Sequence, residues 1–126
     1  MNPLVDDIPG AEHQKVAGVQ VDVAPAGNGR VKRLIYPPGF RWSKDMKPLV
    51  KSDTCLHAHV GFLAQGRIRG TYGDGCTFDY TAPHVVAIEG DHDAWVEGDE
   101  PAVLIQFDAE QQTAKVFGLP ERHAHR

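Results

Sequence analysis

Glycine and proline interrupt this chain so often that they decide what it can fold into. The 126 residues include 13 glycines and 9 prolines. These divide the sequence into pieces that are mostly about five to nine residues long. Ordinary helices need longer stretches than that, whereas strands do not. The spacing of the breaks therefore predicts short strands rather than helices.

The pieces between the breaks have the composition of strands. Most of them alternate polar and apolar residues with a period of two, or are rich in β-branched residues. The predicted strands cover residues 16–23, 31–36, 56–63, 67–72, 77–80, 85–88, 94–97 and 102–107, with a weaker candidate at 115–117. Many short strands with regularly spaced turns predict an all-β sandwich or barrel.

Three connections can be interpreted from their turn residues. Residues 72–76 place Asp74-Gly75 between two strands and predict a hairpin. Residues 97–101, which include Gly98 and Pro101, predict a second hairpin. Residues 41–54 form a long polar connection, and long loops in compact domains are usually functional or mobile.

Length and charge limit the classes of function. A chain of 126 residues fits one domain, and we expect residues 1–14 and 118–126 to be peripheral extensions of it. The formal net charge of −4 argues against nucleic acid as a partner, because phosphate binding needs a basic face. The basic cluster of Arg30, Lys32 and Arg33 is short and is expected to be a solvated strand face.

The sequence also favours a cytoplasmic location. It contains no apolar run long enough to span a membrane. Residues 1–7 carry Asp6 and Asp7 but no Lys or Arg, unlike a signal peptide. In a reducing cytoplasm, Cys55 and Cys76 are expected to remain thiols.

Residues 53–59 are the most informative stretch for function. If they form a strand, Cys55, His57 and His59 share one face, with neighbours about 6.6 Å apart. Thiolate and imidazole are zinc ligands, and imidazole also suits iron, nickel and copper. The opposite face is apolar and comprises Leu56, Ala58, Val60, Phe62 and Ala64. If that face is the core, the histidines face solvent instead.

A further histidine lies in a turn that leads into a strand. His92 is flanked by Asp91 and Asp93, and either carboxylate is expected to orient its ring. Taken alone, a histidine between two aspartates is more often a surface residue. The remaining histidines are expected to be exposed or solvated; they are His13, His84, His123 and His125.

The stretch from about residue 38 to residue 108 resembles a small single-domain cupin of the cupin-2 conserved barrel type. The first cupin motif has two histidines and a glutamate before a hairpin glycine, which is Gly66 here. The second motif has a turn followed by another histidine, and matches residues 89–95 (EGDHDAW) followed by 98–101 (GDEP). The resemblance implies a jelly-roll barrel of about eight or more antiparallel strands with a metal or small-molecule site inside.

The first motif departs from the family pattern. Counted back from Gly66, His59 takes the place of the glutamate, while Cys55 and Asp53 take those of the two histidines. Counted from the His57/His59 pair, Leu63 takes the place of the glutamate. The two registers exclude each other, and neither reproduces the usual set of three histidines and one glutamate.

The resemblance implies a modified site. One divalent metal (zinc, iron, nickel or manganese) would be held by His57, His59 and His92, with Cys55 as a possible fourth ligand. Two functions remain open at this point. The first is a metal-dependent enzyme acting on a small metabolite, with His59 and His92 as catalytic residues. The second is a metal-free cupin that binds a small molecule as a sensor or accessory protein. Without a metal, either of these two histidines would serve as a general base near neutral pH.

Other residues are expected around the pocket and on the surface. Candidate ligand-binding residues are Phe40, Trp42 and Gln106, the last because a polar group interrupts an apolar strand face there. Trp95 is expected between the sheets, and Arg67 and Arg69 on a solvated face.

The apolar faces of residues 56–64 and 103–107 need cover on both sides, which predicts a homodimer, and small cupins are commonly dimers.

Overall fold

A computed structural model describes residues 2–50, 52–109, 112–120 and 122–123. Within these ranges the chain forms nine strands and only short helical turns. The strands are β1 (Glu12–Val16), β2 (Val19–Ala26), β3 (Gly29–Tyr36), β4 (His59–Gln65), β5 (Arg67–Tyr72), β6 (Thr77–Thr81), β7 (His84–Ile88), β8 (His92–Glu97) and β9 (Ala102–Asp108). A π-helical turn (Trp42–Met46), a 3₁₀ turn (Lys47–Leu49) and the helical turn α1 (Thr113–Val116) complete the elements. The predicted all-β class is confirmed.

The strands form two antiparallel sheets around one core. The larger sheet has the order β1-β2-β3-β9-β4-β7, and the smaller sheet has the order β6-β5-β8. Leu63 and Leu104 of the larger sheet belong to the same buried cluster as Ile68 and Val96 of the smaller sheet. Burial of apolar side chains between the sheets therefore holds the two layers together.

The predicted hairpin at residues 72–76 is confirmed. It joins β5 to β6, and the amide of Tyr72 donates to the carbonyl of Cys76 across 2.7 Å. Gly75 has a φ of 93°, a backbone conformation that favours glycine. The hairpin predicted at residues 97–101 is wrong, because β8 and β9 belong to different sheets. The chain crosses from one layer to the other there.

Three of the strand predictions are also wrong. Residues 16–23 are divided by a turn at Ala17-Gly18, where both residues have positive φ, so that β1 folds back on β2. The strand predicted from residue 56 begins only at His59. Residues 115–117 lie in and just after α1 rather than in a strand. Local β-propensity does not reveal where tertiary pairing begins.

Arg33 is not solvated, contrary to the prediction for the basic cluster. Its side chain is 1% exposed, and its guanidinium lies 2.7 Å from the fully buried carboxylate of Asp22. It also donates to the carbonyl oxygens of Pro3 and Asp6 and so fastens the N-terminal segment. Burial acts to raise the pKa of Asp22, but hydrogen bonds from His13, Arg33 and Gln20 outweigh it and hold that pKa below its ordinary value.

The outer face of the smaller sheet carries charged residues. Arg67 and Arg69 are exposed there and pair with Asp79, so their predicted solvated position is confirmed. Trp95 lies on this same face and not between the sheets as predicted. Its indole N–H donates to Glu97, and the guanidinium of Arg41 lies 4.3 Å from the ring centroid. Alternation explains this position, because His92, Ala94 and Val96 occupy the inner face of β8.

Candidate metal and ligand site

Three side chains with metal-ligating atoms converge between the two sheets. Each of Cys55, His59 and His92 offers one ligand atom, and these atoms lie within 4.8 Å of one another. The Sγ of Cys55 is 3.9 Å from the Nε2 of His59, and the two imidazole centroids are 5.2 Å apart. We call these residues the inner cluster.

Backbone pairing brings the inner cluster together. His59 is the first residue of β4 in the larger sheet, and His92 is the first residue of β8 in the smaller sheet. Cys55 lies in the loop before β4, where its amide donates to the carbonyl of His92 across 2.7 Å. The amide of His92 donates in return to the carbonyl of Cys55. This bridge fixes the thiol beside the ring of His92.

Hydrogen bonds determine which nitrogen of each histidine is available. His59 Nδ1 lies 2.6 Å from the side-chain oxygen of Gln106, and His92 Nδ1 lies 2.7 Å from the carbonyl oxygen of Glu89. Because both partners are acceptors, each Nδ1 carries the proton and each Nε2 keeps its lone pair. Metal-binding histidines are usually oriented in this way.

The predicted role of Asp91 and Asp93 in orienting His92 is wrong. Asp91 accepts a hydrogen bond from the hydroxyl of Thr54, and Asp93 accepts one from the amide of Ser43. Both carboxylates therefore hold the loops around the site rather than the ring. The ring of His92 is oriented instead by the backbone carbonyl of Glu89. Because every residue has such a carbonyl, this partner could not be predicted from the sequence.

The cluster is neutral at pH 7. Burial, reinforced by the neighbouring His92, lowers the pKa of His59 to about 3. Burial also lowers the pKa of His92 and raises the pKa of the Cys55 thiol to about 11. A pKa near 3 makes His59 a poor general base at neutral pH. The lowered pKa values of the two histidines favour metal ligation over general-base catalysis, whereas Cys55 must lose its proton when a metal binds.

The donor set fits a zinc-type metal. Thiolate and imidazole bind such ions at about 2.3 Å and 2.0–2.1 Å, which places tetrahedral donor atoms about 3.4–3.6 Å apart. The ligand atoms lie within 4.8 Å of one another, so their separations exceed this spacing by at most about 1.2–1.4 Å. Side-chain rotation can supply a contraction of that size. Three protein donors would leave one coordination position open, as in catalytic zinc sites.

His57 is not among the three converging donors. It lies exposed at the rim of the cavity, before β4 begins. The prediction that Cys55, His57 and His59 share one strand face is wrong, because residues 56–58 are not in a strand. A loop conformation instead turns Cys55 and His59 toward each other and His57 outward.

The inner cluster lines a cavity of about 500 Å³. The three predicted ligand-binding residues, Phe40, Trp42 and Gln106, all line this cavity. The rest of the wall is mainly apolar and includes Leu34, Tyr36, Ile68, Ile88, Val96 and Leu104. Tyr36 was not among the sequence candidates, although it shares strand alternation with Leu34. The cavity thus combines a mainly apolar wall with the polar side chains of the inner cluster.

The other histidines differ in their surroundings. His84 is exposed, as predicted. His13 is also exposed but contacts the carboxylate of Asp22 across 2.5 Å. The prediction that His123 is solvated is wrong, because its ring stacks on Tyr72 with centroids 4.0 Å apart. His125 lies outside the described residues.

Known structures share this architecture. A cupin-2 domain from Rhodospirillum rubrum matches with a TM-score of 0.57 and 19% identity, over 84% of this chain and 74% of its own. A cupin 2 conserved barrel domain protein from Salinispora arenicola matches with a TM-score of 0.58 and 14% identity, over 90% and 94%. A cupin domain from Schizosaccharomyces pombe gives a TM-score of 0.54 and 15% identity, over 89% and 78%.

These matches establish the fold. The chain has the fold of a small cupin-2-like domain, as its sequence resemblance predicted. No protein-family model and no curated protein sequence matches the chain. Among the described residues there is no helix of the length and apolar character that a membrane span requires.

Proposed function

We propose that this chain is a small cupin that binds one divalent metal through Cys55, His59 and His92. The convergence of the three donors, with both Nδ1 atoms engaged elsewhere, is the observation that carries the proposal. A metal held there would act as a Lewis acid beside the cavity, with zinc favoured by the mixture of sulfur and nitrogen donors. A cysteine ligand needs a reduced thiol, which agrees with the cytoplasmic location expected from the sequence.

The cavity is proposed to hold a small organic molecule that is apolar over most of its length. Phe40 and Trp42 are both buried in its wall and offer flat apolar surfaces. Gln106 also lines the cavity, where it fixes His59 and keeps an amide nitrogen that can donate to a ligand. The chain's own residues thus exclude water from the body of the ligand and direct its polar group toward the inner cluster. We propose a metal-dependent enzyme acting on such a metabolite.

A metal-free binding protein is the second candidate, and the apolar lining is the observation that favours it. Apolar cavities with a few polar groups bind small molecules without any metal. The raised pKa of Cys55 keeps its thiol neutral at pH 7 when no metal is bound, which supports this candidate. The metal content of the native protein distinguishes the two candidates.

Elemental analysis of protein purified without a metal-affinity tag tests the proposal. Wild-type protein is expected to carry stoichiometric metal, and the H59A/H92A double variant is expected to lose one equivalent. The exposed His84 supplies the control, because His84→Ala should leave the metal content unchanged. Circular dichroism confirms that each variant is folded. Equal metal content in wild type and double variant, or a metal-free native protein, would support the second candidate instead.

The homodimer expected from the sequence remains a proposal, and the outer face of the larger sheet supports it. Phe62, Val85 and Phe107 are 42%, 70% and 50% exposed and lie on the adjacent strands β4, β7 and β9. Contiguous exposed apolar residues mark interaction surfaces. One apolar patch can pair with its own copy across a two-fold axis.

Introducing charge on this face is expected to produce a monomer. Wild-type protein should have the mass of a dimer in light scattering at micromolar concentration, and F62K/F107K should have half that mass. Val116→Lys is the control, since Val116 is also an exposed apolar residue but belongs to α1. A monomeric wild type would refute the dimer.

A further inference from the structure

A second group of side chains with metal-ligating atoms lies at the tip of the β5–β6 hairpin, on the protein surface. It consists of Asp74, Cys76 and His123, whose ligand atoms lie within 4.8 Å of one another. We call these residues the outer cluster. Asp74 and Cys76 belong to the hairpin turn, whereas His123 is 47 residues further along the chain from Cys76. Their convergence is therefore tertiary and does not follow from sequence proximity.

The ring of His123 is held in a defined orientation. It stacks on Tyr72 with an interplanar angle of 12°, and its Nδ1 lies 2.9 Å from a carboxylate oxygen of Glu89. A carboxylate accepts, so Nδ1 donates the proton. Carboxylates orient metal-binding histidines in the same way and leave Nε2 as the ligand atom.

The remaining nitrogen of His123 faces an oxygen atom of Asp74. His123 Nε2 lies 3.6 Å from Asp74 Oδ2, which is too far for a hydrogen bond. The other carboxylate oxygen, Oδ1, accepts from the amide of Cys76 across 3.0 Å and so aims Oδ2 at the ring. A ring nitrogen of His123 and a carboxylate oxygen of Asp74 therefore face each other at a distance that a cation can bridge. An imidazolium between the two carboxylates is the competing explanation.

The donor types select the class of cation. Sulfur, imidazole nitrogen and carboxylate oxygen together suit zinc and related transition metals, whereas calcium and magnesium take oxygen ligands. We propose that the outer cluster binds a zinc-type divalent cation, which fastens His123 to the β5–β6 hairpin. This site is separate from the proposed centre at the inner cluster.

Glu89 connects the two clusters. Its backbone carbonyl accepts from His92 Nδ1, and its side chain accepts from His123 Nδ1. Its amide donates to the hydroxyl of Tyr72, the residue on which His123 stacks. One residue therefore orients a histidine of the inner cluster and a histidine of the outer cluster. Metal binding at the hairpin would consequently steady the backbone that positions His92.

Cobalt(II) titration of single-cysteine variants tests this site without interference from the inner cluster. Thiolate coordination to Co²⁺ gives a near-ultraviolet charge-transfer band, and C55S leaves Cys76 as the chain's one cysteine. We expect C55S to bind Co²⁺ with this band. The C55S/H123Q variant lacks a proposed ligand. Loss of a residue that only orients a ligand lowers metal affinity by roughly 10–100-fold, and we expect the Co²⁺ affinity of C55S/H123Q to fall by more than that. C55S/D74N provides a second variant that leaves the Tyr72–His123 stack in place, and C55S/H84Q is the matched control.

The outcomes separate this site from the proposed function. Absence of the band in C55S, or its survival in both C55S/H123Q and C55S/D74N, would overturn the outer site and favour the imidazolium. The reciprocal variant, C76S, keeps only Cys55 and reports on the inner cluster alone. Each site can therefore fail while the other stands.

Discussion

Replacing Arg33 with methionine is expected to lower the free energy of unfolding by about 3–5 kcal/mol. Arg33 and Asp22 form a salt bridge in which both side chains are at most 1% exposed. Without Arg33, the buried carboxylate of Asp22 keeps its desolvation cost but loses the cation that offset much of that cost. The variant also loses the hydrogen bonds to Pro3 and Asp6 that fasten the N-terminal segment. Urea denaturation at neutral pH measures the change.

Arg67 provides a matched control for this prediction. It is also a strand arginine paired with an aspartate, but Arg67 and Asp79 are 45% and 40% exposed. Water screens such a pair, so R67M should change the free energy of unfolding far less than R33M does. Similar losses in R33M and R67M would show that burial is not what makes the Arg33 pair important.

The fold could be predicted from the sequence to the level of class and family resemblance. Glycines marked breaks between strands. Gly75 and Gly66 both have a positive φ, and a Cβ at Gly66 would also collide with neighbouring backbone, so few other residues are tolerated there. Connectivity between the layers could not be predicted in this way. The turn at Gly98 resembles a hairpin locally, but only the tertiary structure shows that β8 and β9 belong to different sheets.

The candidate site was predictable in part. Cys55, His59 and His92 were all among the sequence candidates, and the structure brings these three together. The strand argument behind them failed at His57, because a loop rather than a strand precedes β4. The contacts of Glu89 and His123 could not be predicted from the sequence. They depend on a backbone carbonyl and on residues that are far apart along the chain, and neither produces a sequence pattern.

A methyl group at Gly61 is expected to disturb both the fold and the inner cluster. Gly61 lies on β4 opposite Gln106 of β9, and a Cβ there would lie 2.0 Å from the carbonyl oxygen of Ile105. Because the obstacle is backbone, no side-chain rotation can relieve it, and the two strands must separate. G61A should therefore lower the free energy of unfolding by about 3 kcal/mol, at the upper end of the usual cost of overpacking.

The same substitution should weaken metal binding. The added Cβ would also lie 2.8 Å from the Cα of Gln106, so displacement of β9 moves the amide that fixes His59. Loss of such an orienting partner costs about 10–100-fold in metal affinity, measurable by competition with a chromophoric chelator. Gly98→Ala is the control, since a Cβ there meets open space and only the φ of 88° opposes it. That variant should lose about 1–2 kcal/mol and keep its metal affinity. Metal affinity that falls equally in G98A and G61A would mean that general destabilisation, and not the Gln106–His59 hydrogen bond, controls the site.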